Sequence, residues 1–331
     1  MPNGNNKSNR EDIKGLVVFR EDNSKRIEKK EVQPLEYVDQ EDKIKLVYKF
    51  KPFGATYLFS LLIANQSLAP ITEIKVRVRY PDFLFVSRSN PPTVSIDSLD
   101  IEEGEFQTRI EFEKIDKKSE KQVNLFFNPT RLEEEGVIRA FITFVNNADF
   151  VRALDSDPIS IQFDPISVER KILPTSEVSK FINQEGIKKA VKSVGIAIDN
   201  PFDDEYYFTL IQHTIQQFNF QLITENKEEK IAWYFGNELV SGKDILVIGQ
   251  IEANKLEWRC ASRDPNILIS MITNFYNEFL NRLIINNVIT SVDQVIDLEC
   301  KYCGAILPKF PKKGFLIECP KCKYEQIVWK K

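Results

Sequence analysis

A period of two runs through this chain from Lys43 to about Ile166. Ile44, Leu46, Tyr48 and Phe50 alternate with Lys45, Val47, Lys49 and Lys51. Tyr57, Phe59, Leu61 and Ile63 form a second run, and Ile74, Val76, Val78 and Tyr80 a third, interleaved with Lys75, Arg77 and Arg79. Successive side chains of a strand point to opposite faces, so the pattern demands sheets with one face buried and one wet, the mark of antiparallel pairing. Further runs cover 109–115, 122–127, 137–145 and 159–163. Turn signals separate them: Asn65-Gln66-Ser67, Pro81-Asp82, Asn90-Pro91-Pro92, Asn128-Pro129 and Asn146-Asn147. So many short strands in one segment predict an immunoglobulin-like β-sandwich over residues 41–168. The segment contains no cysteine, so the inter-sheet disulfide of antibody domains has no place in it.

Near Leu173 the texture changes. Pro174-Thr175-Ser176 opens a short helix reaching about Asn183, and residues 193–198 read as a buried strand. Asp203 and Asp204 fit a helix N-terminus, where carboxylates complement the dipole; Phe208, Ile211, Ile215 and Phe218 follow at helical spacing. Strands are expected at 220–224, 230–235, 244–252 and 256–262, the last two joined by a tight Ala253-Asn254 turn. Asp264 as cap and Pro265 at the first helical position open a longer helix carrying Leu268, Ile272, Phe275, Phe279 and Leu283 on one face. The order predicts a compact α+β domain over 169–290.

Cys300-Lys-Tyr-Cys303 and Cys319-Pro-Lys-Cys322 carry the sharpest chemistry. Each CxxC turn points two thiolates at one spot, and a short strand pair between the turns brings the four together. This arrangement is similar to the zinc ribbon family, and places one structural zinc ion on Cys300, Cys303, Cys319 and Cys322 within a domain over 298–331. Four thiolates leave no open coordination position, so the metal is expected to hold the fold rather than to catalyse.

Charge and composition exclude several alternatives. The chain of 331 residues has a net charge of −4, but Glu299 to Lys331 holds eight Lys against three Glu, so the tail is basic and the body acidic. An acidic body is a poor general nucleic-acid binder, whereas Lys309, Lys312, Lys313, Lys321, Lys323, Lys330 and Lys331 with Phe310, Tyr324 and Trp329 suit phosphate and base contacts only through the ribbon. One histidine, His213, and 12 glycines leave little for histidine catalysis or phosphate loops. Gly236 to Asp244 has the wrong glycine spacing, with Asp where a magnesium-binding hydroxyl belongs, and reads as a hairpin turn. Cys260 reads as a small buried hydrophobe. Residues 1–40 are polar and charge-mixed, and are expected to form a flexible arm. Their start has no apolar signal core, and paired CxxC cysteines suit a reducing compartment, so a cytoplasmic setting is expected. No apolar stretch approaches the length of a membrane helix.

The order of sandwich and α+β platform resembles the appendage (ear) region of coat adaptors, most nearly that of the coatomer gamma subunit. Carrying residues are Leu58 to Asn65 through Ile74 to Val78, Tyr207 to Leu210, and Gly242 to Val247 with Leu256 to Ser262. The resemblance spans roughly residues 40–285 and implies a non-enzymatic scaffold. Its platform would take short aromatic or acidic peptide motifs from trafficking factors in a shallow groove. Where that family carries an exposed tryptophan on the platform's first helix, this chain offers Phe181. Phe181, Trp233 and Arg259 are the candidate contacts, although core burial is the simpler expectation for Trp233 and Trp258. A ribbon after the platform is foreign to the coatomer pattern and, with the Lys/Ile/Asn-rich composition, points to an archaeal relative. A longin- or roadblock-like platform of small-GTPase regulators fits the same element order. Both lead to protein recognition; a nucleic-acid-associated factor acting through the ribbon is the alternative.

Overall fold

The computed structural model describes residues 43–93, 95–97, 104–199 and 201–330. The arm expected over 1–40 lies outside them. Ten strands form the first part: β1 (Ile44–Phe53), β2 (Thr56–Asn65), β3 (Ile71–Pro81), β4 (Leu84–Asn90), β5 (Ser95–Asp97), β6 (Glu105–Ile115), β7 (Ser119–Pro129), β8 (Glu135–Val145), β9 (Val151–Asp155) and β10 (Ile159–Gln162). They make two antiparallel sheets, one in the order β1-β2-β7-β4, the other β10-β8-β3-β6-β5 with β9 also on β8. The alternating residues expected to point inward do so. Phe59, Leu61 and Ile63 of β2, Val76 and Val78 of β3, and Val123, Leu125 and Phe127 of β7 are fully buried in one core between the sheets. The Asn65 turn becomes a buried polar corner. Its side-chain amide donates to the Ala69 carbonyl at 2.9 Å, while its oxygen accepts from the Ser67 hydroxyl at 2.6 Å.

Sequence periodicity missed β4. A register shift between Val86 and Arg88 marks a bulge there, which breaks the alternation and re-aims the side chain of Arg88. It also missed β9, which continues the line of β10 along β8 after a break at Ser156.

The second part comprises β11 (Val168–Arg170), α1 (Thr175–Ile182), β12 (Lys188–Ile196), α2 (Asp204–Gln217), β13 (Gln221–Asn226), β14 (Ile231–Glu238), β15 (Asp244–Glu252), β16 (Lys255–Ser262), α3 (Pro265–Ile285) and β17 (Val295–Asp297). All seven strands join one antiparallel sheet, β11-β14-β15-β16-β12-β17, with β13 also on β14. Asp203 caps α2 by accepting from the Tyr206 N–H at 2.8 Å, and Asp264 caps α3 by accepting from Asn266 at 2.9 Å. Helices α2 and α3 cover one face, burying Phe208, Ile211 and Ile215 with Leu268, Phe275 and Phe279 against Val247, Trp258 and Cys260. Helix α1 packs on the opposite face against Phe235, Leu246 and Ala261. Ala253 and Asn254 both have positive φ, 53° and 58°, as the tight β15–β16 turn requires. Strand β12 begins earlier than its apolar core suggests: it pairs with β16 from Lys188 opposite Ser262, and buried Lys192 is neutralised by Asp297 at 2.6 Å.

Helix α3 belongs to both cores. Its Ile269 is buried with the sandwich residues, Tyr57 donates to Asn266 at 3.3 Å, and Asn277 donates to the Thr130 carbonyl at 2.9 Å. Among the described residues no helix is long and apolar enough to cross a membrane.

Candidate metal centre and adjoining groove

The described part of the C-terminal segment adds a three-residue strand pair, β18 (Leu316–Glu318) and β19 (Glu325–Ile327), and a single bridge between Glu299 and Ile306. Its core is small: Leu298, Leu307 and Ile317 with the sulfurs of Cys300 and Cys319. A core of that size cannot hold a fold alone and needs a staple.

Four cysteines come together where a metal would act as one. Their sulfurs all lie within 4.8 Å of one another, with Cys300–Cys322 and Cys303–Cys319 both at 3.6 Å. Tetrahedral Zn–S bonds of about 2.3 Å separate sulfurs by about 3.8 Å, so the donor set has the size and chemistry of a tetrathiolate site. The two turns repeat one geometry. Gly304 N–H donates to the Cys300 carbonyl at 2.8 Å and Cys300 N–H to Ala305 at 2.8 Å; Lys323 N–H donates to Cys319 at 3.0 Å and Cys319 N–H to Tyr324 at 2.9 Å. Gly304 and Lys323, at matching places, both have positive φ, 70° and 63°. Gln326 ties the turns together, accepting from Lys301 N–H at 2.9 Å and donating to the Glu299 carbonyl at 3.2 Å. Against a desolvation that raises it, the N–H groups of Cys322 and Lys321 pull the Cys319 thiol down to about 6. Desolvation and the neighbouring thiols push Cys322 up to about 12. Four thiols so close cannot all ionise unless a cation joins them.

The ribbon is docked rather than tethered. Strand β17 pairs with β12, Leu298 N–H donates to Ser193 at 2.9 Å, and Phe310 N–H donates to the Ala253 carbonyl at 3.3 Å. Phe310 stacks on Trp329 with centroids 5.3 Å apart, and Lys313 lies 3.2 Å from Asp199 and 5.7 Å from the Trp329 ring. Of the aromatics expected to face phosphate and bases, Phe310 is therefore spent on the α+β sheet. Tyr302 and Tyr324 are exposed and stack on each other at 5.9 Å.

Between α1 and the ribbon, the outer face of the α+β sheet holds a groove of about 540 Å³, its walls including Trp233, Ile248, Arg259, Leu307 and Pro308. Trp233 is half-buried and also walls a shallower groove under α1; Arg259 is exposed. Phe181, in contrast, turns inward. It is buried edge-on against Phe235, ring centroids 5.3 Å apart, because the apolar stripe of so short a helix is needed to cover the sheet. It offers no groove contact, which corrects the expectation from its helix position. Trp258 is fully buried under Phe279, and Cys260 is buried with its thiol pushed up by desolvation.

At the groove floor lies a charged cluster that sequence reasoning did not find. The carboxylate of Glu257, 2% exposed, accepts from Ser193 at 2.6 Å, pairs with Lys255 at 2.9 Å and pairs with Arg259. Its one sequence signal is the Glu257/Arg259 alternation opposite Trp258 and Cys260. Elsewhere, His213 stands exposed on α2. Gly242 lies in the β14–β15 turn, where Val240 and Ser241 N–H groups donate to Glu238 rather than facing an anion.

What fold and site define is a chain built mostly of antiparallel sheet with few helices, carrying a four-cysteine cluster near its C-terminus. No protein-family model and no curated protein matches the sequence. Several solved structures give weak likenesses. BcpA, the major pilin subunit of Bacillus cereus, is 10% identical over 64% of this chain and 59% of its own, with a TM-score of 0.26. Spo0M, a sporulation control protein from Bacillus subtilis, is 9% identical over 63% and 74%, with a TM-score of 0.20. A GH20 exo-β-N-acetylglucosaminidase from Vibrio harveyi is 10% identical over 66% and 39%, with a TM-score of 0.23. Likenesses at this level carry no functional argument.

Proposed function

We propose that the chain is a non-enzymatic adaptor. It binds peptide motifs or protein partners, in a coat-like or membrane-trafficking setting, through the groove on the outer face of the α+β sheet. The observation that carries this reading is that Trp233 and Arg259 wall the same groove. A half-buried aromatic beside a guanidinium held by a buried carboxylate combines apolar burial with a fixed polar anchor, as peptide sites do. Lys189, Lys255 and Arg259 outnumber Glu257 in its lining, so an acidic-aromatic motif is the best match. The sandwich is of immunoglobulin type in this reading. Its β1-β2-β7-β4 sheet has the order of the A, B, E and D strands, with β5 and β6 inserted on the other sheet. The four cysteines hold one structural zinc ion.

The test is recovery of partners by the full-length protein with and without nuclease, repeated with Trp233→Ala and Arg259→Glu. Nuclease-resistant partners lost by both folded variants support the adaptor; partners kept by both variants overturn the groove.

A second reading, nucleic-acid binding through the ribbon, is favoured by the stacked, exposed Tyr302 and Tyr324 beside Lys301, Lys321 and Lys323. It predicts nuclease-sensitive partners, steep salt dependence, and loss of binding in a Tyr302→Ala, Tyr324→Ala variant.

A further inference from the structure

The first cysteine turn has a neighbour from the sandwich. Arg88, re-aimed by the β4 bulge, lays its guanidinium over the Phe126 ring at 3.8 Å. The same guanidinium fills the space that a side chain at Gly304 would need, directly behind Cys303. Burial disfavours its charge, and Glu299, Cys303 and Cys300 are the neighbours whose negative charge would offset that. Its Nη1 is buried and makes no hydrogen bond among the described residues. A buried guanidinium nitrogen without an acceptor is costly, and here it lies beside sulfurs that become anionic when they take a metal. Zinc with four thiolates carries two net negative charges, which a dry protein surface does not solvate.

We propose that Arg88 is the sandwich's charge partner for the metal-loaded cysteine cluster, so that metal binding latches the ribbon onto β4. This rests on the reading of the four cysteines as a metal site. With metal bound, the ionised sulfurs of the first turn face the Arg88 guanidinium. With metal removed and the thiols reprotonated, the sulfurs' share of that attraction is lost and Glu299 alone faces the desolvated guanidinium. The β17–β12 pairing and the Phe310 contact tie the ribbon to the α+β sheet on another side, so the expected change is local opening of the β4 contact rather than release of the ribbon. Arg88 is a positioning residue here. Gly304 shares its left-handed backbone with Lys323 in the second turn, so what sets glycine at 304 is the guanidinium packed against it.

The full-length protein provides the test. Metal content is measured first by elemental analysis; zinc loss to a chromogenic chelator and amide exchange over 84–90 and 299–305 are then followed. In the wild type, chelation should raise exchange in both segments. Arg88→Met keeps a stem on Phe126 but removes the charge. It should lose zinc about 10-fold faster or more, in the range for groups that support metal ligands from behind, and show raised exchange at 84–90 with metal still bound. Arg88→Lys should fall between the two. Zinc retained as long by Arg88→Met as by the wild type overturns the latch, as does exchange at 84–90 that chelation leaves unchanged. The wild-type arm needs no variant to fold. A chain purified from zinc-containing medium without metal overturns the metal site itself, and is distinguished by the first measurement.

Discussion

The ring of Phe310 stands where a side chain on Gly195 would have to go: a Cβ there would collide with its Cδ2, Cγ and Cε2 atoms. The C-terminal segment thus leans the Phe310 ring on a bare patch of β12, and Trp329 stacks on that ring. Gly195→Ala should push Phe310 off the sheet and cost about 1–3 kcal/mol, the usual price of overpacking. Trp329 reports the change. Its fluorescence should shift to the red, and protease cleavage within 300–330 should accelerate while the sandwich stays intact. Gly195→Ala combined with Phe310→Leu should recover part of the loss, since the two residues share one volume. Equal stability of Gly195→Ala and wild type would show that Phe310 docks without needing the space.

Phe181 separates stability from binding. Buried against Phe235 and covering Leu246 and Ala261, it should lose about 3–5 kcal/mol on replacement by Ala. Trp233→Ala leaves a half-exposed site and should cost less in denaturant unfolding while removing more partner affinity. Should Phe181→Ala instead keep its unfolding midpoint and lose partners, the helix would present that ring outward after all.

These two residues also show what the sequence discloses. Strand positions were legible wherever one face is wet, as in β1 and β3, because alternation follows burial directly, and α3 was legible from its cap and the helical spacing of Leu268 to Leu283 although much of it is buried all round. The cysteine cluster was legible because ligand spacing is local. Phe181 was not, since an apolar residue on a short helix looks alike whether it covers a sheet or faces a partner. Glu257 and Lys192 were missed for a related reason. Their burial depends on Lys255, Ser193 and Asp297, partners placed by tertiary pairing, so a charged residue in a strand reads as solvent-facing. The bulge at Arg88 interrupts the one pattern that would have revealed β4.

Thiol chemistry checks the metal centre independently. Cys260 lies outside the cluster, buried, with its thiol held protonated by desolvation. In the native, metal-loaded protein a disulfide reagent should find almost no reactive thiol. A chelator should expose the four ribbon cysteines, and denaturant should add Cys260 as the fifth. Cys260→Ser should leave metal content unchanged, whereas Cys303→Ser should reduce it sharply. Free reactivity of the ribbon thiols before chelation would be incompatible with a loaded site.

Glu257 predicts how the α+β domain responds to acid. Burial raises its carboxyl, but Ser193, Lys255 and Arg259 more than offset that and hold it below the ordinary 4.5. A carboxylate depressed in the folded state contributes stability above its unfolded value and loses it as pH falls through the folded one. The unfolding free energy should therefore begin to decline near pH 4.5 and keep falling below it. Glu257→Gln should flatten that acid limb. It should also lower the neutral plateau by about 3–5 kcal/mol, because Lys255, only 7% exposed, is left charged without its partner. Replacing the pair together, Glu257→Leu with Lys255→Met, should restore most of the plateau while keeping the flat limb; Arg259 is solvated enough to stand alone. Urea unfolding from pH 3 to 7 distinguishes these outcomes, and an acid limb equally steep in wild type and Glu257→Gln would assign the pH dependence to other carboxylates.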